Sequence, residues 1–369
     1  METKCKKILV VSSPTGGHLY PAIEVSKYLL KLGHKIVFVS QNKLQFVDVI
    51  KKEFSGLNFC IEFVPAGKFS RKSIFQNLYS FLLLMLSLYK SFKIIFFHRP
   101  DLIFSSGGYT SFPVVLMSKI FFRRIKVVLH EQNYVLGLTN KILKIFSDRV
   151  FLGFANERIK CKKYVFTGNP IRSSLKEEVS REEVLKNFNL DREKFTLLVF
   201  GGSQGAKKLN DFVISFLSNY ENLSLKLQVI HITGKQDFER IKQLYQNIKI
   251  KHIVLPYLNE MHWAYTVADL VLSRAGAMTV SELIYFKKPS ILVPFPFAAE
   301  LHQNWNAWYL KKYNCAEVVF QRKNWEKLVA SKILLLVNND CVIERMKQGF
   351  TSMNFFHSYI FIKLEDLFK

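Results

Sequence analysis

Short apolar runs recur along the chain, each followed by a stretch whose apolar positions return at helical spacing. In the first half the runs are Ile8–Val11, Ile36–Val39, Leu102–Ser105, Val127–Leu129 and Val150–Leu152. In the second they are Phe195–Phe200, Gln228–Ile232, Ile253–Leu255, Leu270–Leu272 and Ser290–Val293. Buried strands separated by helices predict an α/β chain with parallel sheets and crossover helices. Both halves open alike: KKILVVSSPTGGH and FTLLVFGGSQGA each read as strand, glycine-containing turn, helix. Two doubly wound domains follow, with their boundary near the polar stretch Arg172–Glu193. Open sheets of this kind bind ligands at the carboxyl ends of their strands, so the chemistry is expected in a cleft between the domains.

The longest apolar stretch, Ile74–Phe97, is interrupted by Lys90 and Lys93, leaving only Phe81–Tyr89 unbroken. A spanning helix needs roughly 20 apolar residues, so no transmembrane segment is expected. With Lys68, Arg71, Lys72, Lys90 and Lys93 around it, the stretch reads either as an interfacial patch with a cationic rim or as a buried amphipathic helix.

Composition adds less than pattern. At 369 residues, 49% hydrophobic, the chain can fill two cores. Its net charge of +24 favours a polyanionic partner such as an anionic membrane face, or reflects a lysine-rich composition, since the basic residues are spread rather than blocked. The five cysteines at 5, 60, 161, 315 and 341 lack CxxC or CxxH spacing, which argues against a disulfide framework or zinc site and fits a reducing compartment. METKCKK starts no apolar leader segment. Neither RNA-binding motifs nor aromatics clustered with Lys/Arg are found, so no nucleic-acid partner is expected.

A dinucleotide reading fails. It requires GxGxxG and an acidic residue ending the second strand. The first half offers TGGH with a second strand ending Ser40-Gln41-Asn42, and GGSQGA is followed by a strand ending His231-Ile232-Thr233-Gly234. GxxxxGK[ST] is absent as well.

The densest chemical signal is Ser273-Arg274-Ala275-Gly276-Ala277-Met278-Thr279-Val280-Ser281-Glu282. A strand gives way to a small-residue turn and a helix start, whose unpaired N–H groups suit a diphosphate. Thr279 could add a hydroxyl and Glu282 could accept from two vicinal ribose hydroxyls; an ordinary capped helix is the plainer alternative. Gly201–Ala206 forms a second such turn, Arg172 stands at the domain junction, and His302–Ala307 (HQNWNA) follows a further strand. Together these read as a nucleotide-diphosphate-sugar site. No DxD pair occurs to hold a cation, so neither metal nor cofactor is expected.

Eight segments in order, TGGHLYPA, SSGGYTSFP, HEQN, GLTNK, TGNPIR, GGSQGA, SRAGAMTVSEL and HQNWNA, resemble the MurG family. The resemblance implies a GT-B fold divided at 1–171 and 172–347, with residues 348–369 crossing back to the first domain. It implies inverting transfer of N-acetylglucosamine from UDP-GlcNAc to the muramyl 4-hydroxyl of lipid I, giving lipid II, at the cytoplasmic face of the membrane. Arg172, Ser203 and the turn Ala277, Met278, Thr279, Val280, Ser281 and Glu282 would hold UDP, with Leu258 beside the uracil and Gln303 on the sugar. Thr15, Gly16, Gly17 and Asn133 would close the donor site from the first domain. The acceptor diphosphate would lie at Gly16, Gly17, His18, Gly107, Gly108 and Tyr109.

Such a transfer needs a base near the attacking hydroxyl and stabilisation of the leaving diphosphate. His18 is the first candidate base, against a structural role in the turn. Glu131 is the second, against a role orienting His130 or Asn133. The sequence departs from the family where Ser13 and Pro14 replace glycines; Pro14 removes a backbone donor. His302 replaces a glutamine found in some relatives. The competing readings are a GT-B transferase with another lipid acceptor, a UDP-GlcNAc epimerase, and a non-enzymatic basic protein.

Overall fold

The computed structural model describes residues 5–67, 74–156, 159, 161–202, 205–353 and 359–368. The chain divides into two compact units, Met1–Arg172 with Phe356–Lys369, and Ser173–Phe355.

The first unit runs β1 (Lys7–Val11), α1 (Gly16–Lys31), β2 (Lys35–Ser40), α2 (Leu44–Glu53), β3 (Cys60–Phe63), α3 (Ile74–His98), β4 (Leu102–Ser105), α4 (Ser111–Phe121), β5 (Lys126–Glu131), α5 (Leu138–Leu143), β6 (Arg149–Leu152) and β7 (Tyr164–Phe166). Its sheet has the order β3-β2-β1-β4-β5-β6-β7, and every pairing is parallel. The central strands are buried on both faces, which is why Ile8–Val11 and Ile103–Phe104 read as unbroken apolar runs.

The second unit runs α6 (Arg181–Asn187), β8 (Phe195–Phe200), α7 (Lys207–Asn219), β9 (Leu227–Ile232), α8 (Phe238–Leu244), β10 (Lys251–Leu255), α9 (Met261–Val267), β11 (Leu270–Ser273), α10 (Ala277–Tyr285), β12 (Ser290–Leu292), α11 (His302–Lys312), β13 (Ala316–Val318), α12 (Trp325–Val337) and α13 (Asp340–Gly349). Its parallel sheet has the order β10-β9-β8-β11-β12-β13. In each sheet the order reverses beside the first strand, between β1 and β4 and between β8 and β11. Ligands bind doubly wound sheets at such points.

A last helix, α14 (Tyr359–Glu365), belongs to the first unit. Its Ile360 and Leu364 are fully buried with Leu29, Ile36 and Phe38, and Phe361 lies 4.4 Å from the Tyr28 ring. Burial, with Glu365 as hydrogen-bond partner, pushes the Tyr28 phenol up to about 12.

The structure corrects the reading of the long apolar stretch. α3 runs unbroken for 25 residues through Lys90 and Lys93, and Phe75–His98 is long and apolar enough to cross a membrane by length and composition. An α-helix accommodates the lysines without interruption because both have high helix propensity. The helix is nonetheless a crossover of the sheet: Ile94 and Ile95 sit in the core with Ile103 and Val127, and Phe92 meets Phe121 at 5.2 Å. Its polarity is inverted. Ser80, Ser87 and Ser91 are buried, whereas Phe75, Leu78, Tyr79, Leu82 and Phe97 are exposed. Of the basic flank, Lys68, Arg71 and Lys72 lie outside the described residues.

Candidate active site

In the first unit, two turns leave adjacent strands side by side. β1 ends at Val11 and its turn enters α1 at Gly16; β4 ends at Ser105 and its turn enters α4 at Ser111. Thr15 precedes α1 in extended conformation, and its carbonyl accepts from His18 N (3.0 Å) and Leu19 N (2.8 Å). The amides of Gly16 and Gly17 are among those that helix geometry leaves without an intrahelical acceptor. No side chain caps them.

Ser13 explains itself here. Its hydroxyl donates to Thr110 Oγ1 (3.2 Å) and accepts from the Thr110 amide (3.3 Å), tying one turn to the other. Gly108, at φ +83°, faces it: a Cβ there would fall 2.1 Å from Ser13 Oγ and 3.5 Å from His18 Cδ2. Glycine is therefore obligatory on both conformational and steric grounds.

His18 is held at one nitrogen. Its Nδ1 lies 2.7 Å from Ser106 O and 2.9 Å from Gln132 Oε1, both acceptors. That places the proton on Nδ1 and leaves the lone pair of the neutral ring on Nε2. Gln132 is oriented in turn, because its Nε2 donates to Ser106 O (2.9 Å) and to His130 Nδ1 (3.0 Å). Burial pushes the His130 imidazole down to about 3, so it stays neutral and accepting.

Glu131, 2% exposed, is saturated. Oε1 accepts from the backbone and side-chain nitrogens of Asn133 (both 3.0 Å), and Oε2 from Gly137 N (2.8 Å) and Asn140 Nδ2 (2.9 Å). Four donors make it the organiser of the loop before α5. Asn133 is thereby fixed by Glu131. Arg172 lies with its guanidinium 5.0 Å from the Tyr20 ring centroid.

In the second unit, the turn after β11 leads into α10, whose first amides at Ala277, Met278 and Thr279 have no side-chain cap at Gly276. Val280 and Ser281 were expected to join the UDP contacts, but their side chains are fully buried and Ser281 Oγ donates back to Ala277 O (2.9 Å). Only the start of the helix offers free donors. Glu282 is mostly buried and its Oε2 accepts from Tyr265 OH at 2.9 Å.

Gln303 ties two turns together, its Oε1 accepting from Ala275 N (3.3 Å) and Phe295 N (2.9 Å). Asn306, buried, donates to Ala275 O (3.1 Å). Leu258 sits half-buried between β10 and α9. In the turn after β8, Gly205 at φ +76° is required, since a Cβ would meet Thr233 O at 2.3 Å. Ser203 lies outside the described residues.

Three participants escaped the sequence reading. Gln132 sits inside HEQN but was given no role. Tyr265 carries no motif signal. Arg274, buried in the turn before α10, donates to Val293 O (2.9 Å), Pro294 O (3.3 Å) and Gln321 Oε1 (3.1 Å). Burial pulls its guanidinium down to about 10, and it still carries a positive charge in the turn before α10 at neutral pH. Glu300 and Leu301 before α11 both take left-handed φ (50° and 52°), a conformation leucine rarely adopts and one that gathers at ligand-binding turns.

The cysteine spacing concealed one cluster. Cys60, Glu62 and His98 bring one ligand atom each within 4.8 Å of one another, across β3 and the end of α3. They could hold a metal ion, although His98 Nε2 already pairs with Glu62 Oε1 at 2.9 Å. The three lie at the edge of the sheet, whereas the glycine turns leave its two central strands.

Two parallel sheets, each with uncapped helix starts at its switch point, give the GT-B architecture, and the family models make the chain a glycosyltransferase. The family model of the glycosyltransferase family 28 N-terminal domain matches residues 8–152, and that of its C-terminal domain matches residues 196–359. A relative from Thermodesulfovibrio yellowstonii is 35% identical over 93% of each chain, and one from Elusimicrobium minutum 33% over 94% of each. Both bear the name UDP-N-acetylglucosamine–N-acetylmuramyl-(pentapeptide) pyrophosphoryl-undecaprenol N-acetylglucosamine transferase. The crystal structure of Acinetobacter baumannii MurG superposes with a TM-score of 0.76 over 99% of both chains at 22% identity, which shows the shared fold. The chain belongs to the MurG family of glycosyltransferases.

Proposed function

We propose that the protein transfers N-acetylglucosamine from UDP-GlcNAc to the muramyl 4-hydroxyl of undecaprenyl-diphosphate-linked lipid I, forming lipid II for peptidoglycan. The observation that carries the mechanism is the fixed tautomer of His18 beside two glycine turns. Each unit supplies half the reaction. The amides of Gly16 and Gly17, with the Gly107–Gly108 turn, take the acceptor diphosphate, and His18 Nε2 accepts the proton of the attacking hydroxyl. The start of α10, with the Arg274 charge in the turn before it, takes the diphosphate of UDP and stabilises its charge as it leaves. Glu282, oriented by Tyr265, accepts from the ribose, and the Gln303 amide reads the sugar. Leu258 and Ser203 complete the donor set of the second unit in this reading. The enzyme works peripherally at the cytoplasmic face of the membrane, held there by the exposed apolar side of α3 on a chain of net charge +24.

The test incubates purified protein with UDP-GlcNAc and lipid I in anionic vesicles. UDP release should require acceptor, survive EDTA, and pellet with the vesicles less as salt is raised. Glu282→Ala should raise the KM for UDP-GlcNAc roughly ten- to a hundredfold, the scale of a hydrogen bond to a charged group. Acceptor-independent formation of UDP-N-acetylmannosamine would instead establish an epimerase.

A further inference from the structure

The first unit holds a cavity of about 250 Å³ that the reaction as described does not use. Its lining comes from α3 (Leu84), the start of α4 (Phe112, Pro113) and α5 (Leu138, Ile142), and is almost wholly apolar. Ser80 and Ser87 also line it, but Ser87 Oγ is committed to Leu83 O (2.6 Å) and Pro65 O. Gly67 packs so closely on α3 that a Cβ would fall 2.8 Å from Ser80 Oγ, closing that wall. Leu138 and Ile142 remain exposed, which opens the cavity to the surface.

Its position is informative. Tyr109 lines the cavity and directly follows Gly107–Gly108, the turn that packs against His18. A ligand whose diphosphate rests on that turn therefore has an apolar chamber immediately beside it. A pocket of this volume takes a short branched hydrocarbon, not a whole polyprenyl chain.

We propose that this cavity binds the isoprene units of the acceptor adjoining its diphosphate, so that the enzyme recognises the lipid itself and not only the headgroup. The proposal rests on the acceptor reading above. It makes Leu84, Phe112 and Leu138 specificity-determining residues of the acceptor site.

The experiment uses the full chain in buffer free of vesicles and detergent, with muramyl-pentapeptide diphosphates carrying a methyl group, one isoprene unit or two. The acceptor KM should fall about tenfold or more from methyl to two units, as burial of several methylenes predicts, while kcat and the KM for UDP-GlcNAc hold. Leu84→Trp, which fills the cavity, should abolish that gain. Leu138→Lys, at an exposed position, should do so without disturbing folding, and both should leave the methyl acceptor unaffected. Equal KM values across the series would overturn the proposal, as would a chain-length dependence that survives both substitutions or that arises only when vesicles are added. Titration calorimetry with the same analogues reads the pocket without turnover. A protein that binds the isoprenyl compounds more tightly but transfers no sugar loses the transferase reading and keeps the pocket.

Discussion

At the scale of single residues, the site is organised by what side chains are prevented from doing. His18 cannot use Nδ1 as a base, because Ser106 O and Gln132 Oε1 hold its proton there. Glu131 has its oxygens taken up by four donors that fix the loop before α5. His18→Gln should therefore lower kcat by roughly 10²–10⁴-fold with the KM for UDP-GlcNAc little changed, measured by steady-state UDP release. A variant retaining nearly full turnover would remove His18 as the base. The motif residues were legible because TGGH, HEQN and SRAGA sit at strand ends. Their mutual orientation was not: Gln132 meets His18 across 114 positions of sequence, and Tyr265 reaches Glu282 from a helix with no motif of its own.

At the scale of elements, the two turns of the first unit behave as one piece. Ser13 replaces a family glycine and fills the space that Gly108 leaves, bonding to Thr110. Gly108→Ala should then destabilise twice over, through a positive φ and through overlap with Ser13 Oγ. Ser13→Gly removes the overlap but leaves the φ strain. In a double-mutant cycle read by urea unfolding, the two substitutions should couple by about 0.5–3 kcal/mol, the double variant being more stable than the sum predicts. Strict additivity would show that the turns are independent. The sequence pattern located ten strands and missed β3, β7 and β13. Each of these is short, lies at a sheet edge and is only partly buried, so no continuous apolar run announces it. Lys90 and Lys93 interrupt the apolar run without interrupting the helix, since a helix half exposed to solvent carries lysines without breaking.

At the scale of the whole molecule, each unit holds a histidine that complete burial keeps neutral, and acid should act on both. His130 in the first unit and His231 in the second are pushed by burial from 6.5 to about 3. His231 lies between Tyr245 OH and Asn210 Oδ1, both at 3.0 Å, in a fully buried site where desolvation disfavours a second ring proton. In the unfolded chain both rings take up a proton as pH falls through 6.5, whereas the native rings resist until about 3. The unfolded state thus binds more protons in that window, and stability rises with pH across it and is lost on acidification. Each ring contributes a slope of up to about 1.4 kcal/mol per pH unit. The net charge of +24 adds to the effect, because protonating carboxylates at the lower end of the window increases self-repulsion. Urea unfolding followed from pH 7 to pH 4 should show a falling midpoint. His231→Gln should lower stability at pH 7 yet flatten the acid slope of the unit that carries it, since glutamine has no proton to gain. A slope unchanged by that substitution would mean that His231 takes up its proton in the folded and unfolded chain alike, against the effect of its burial.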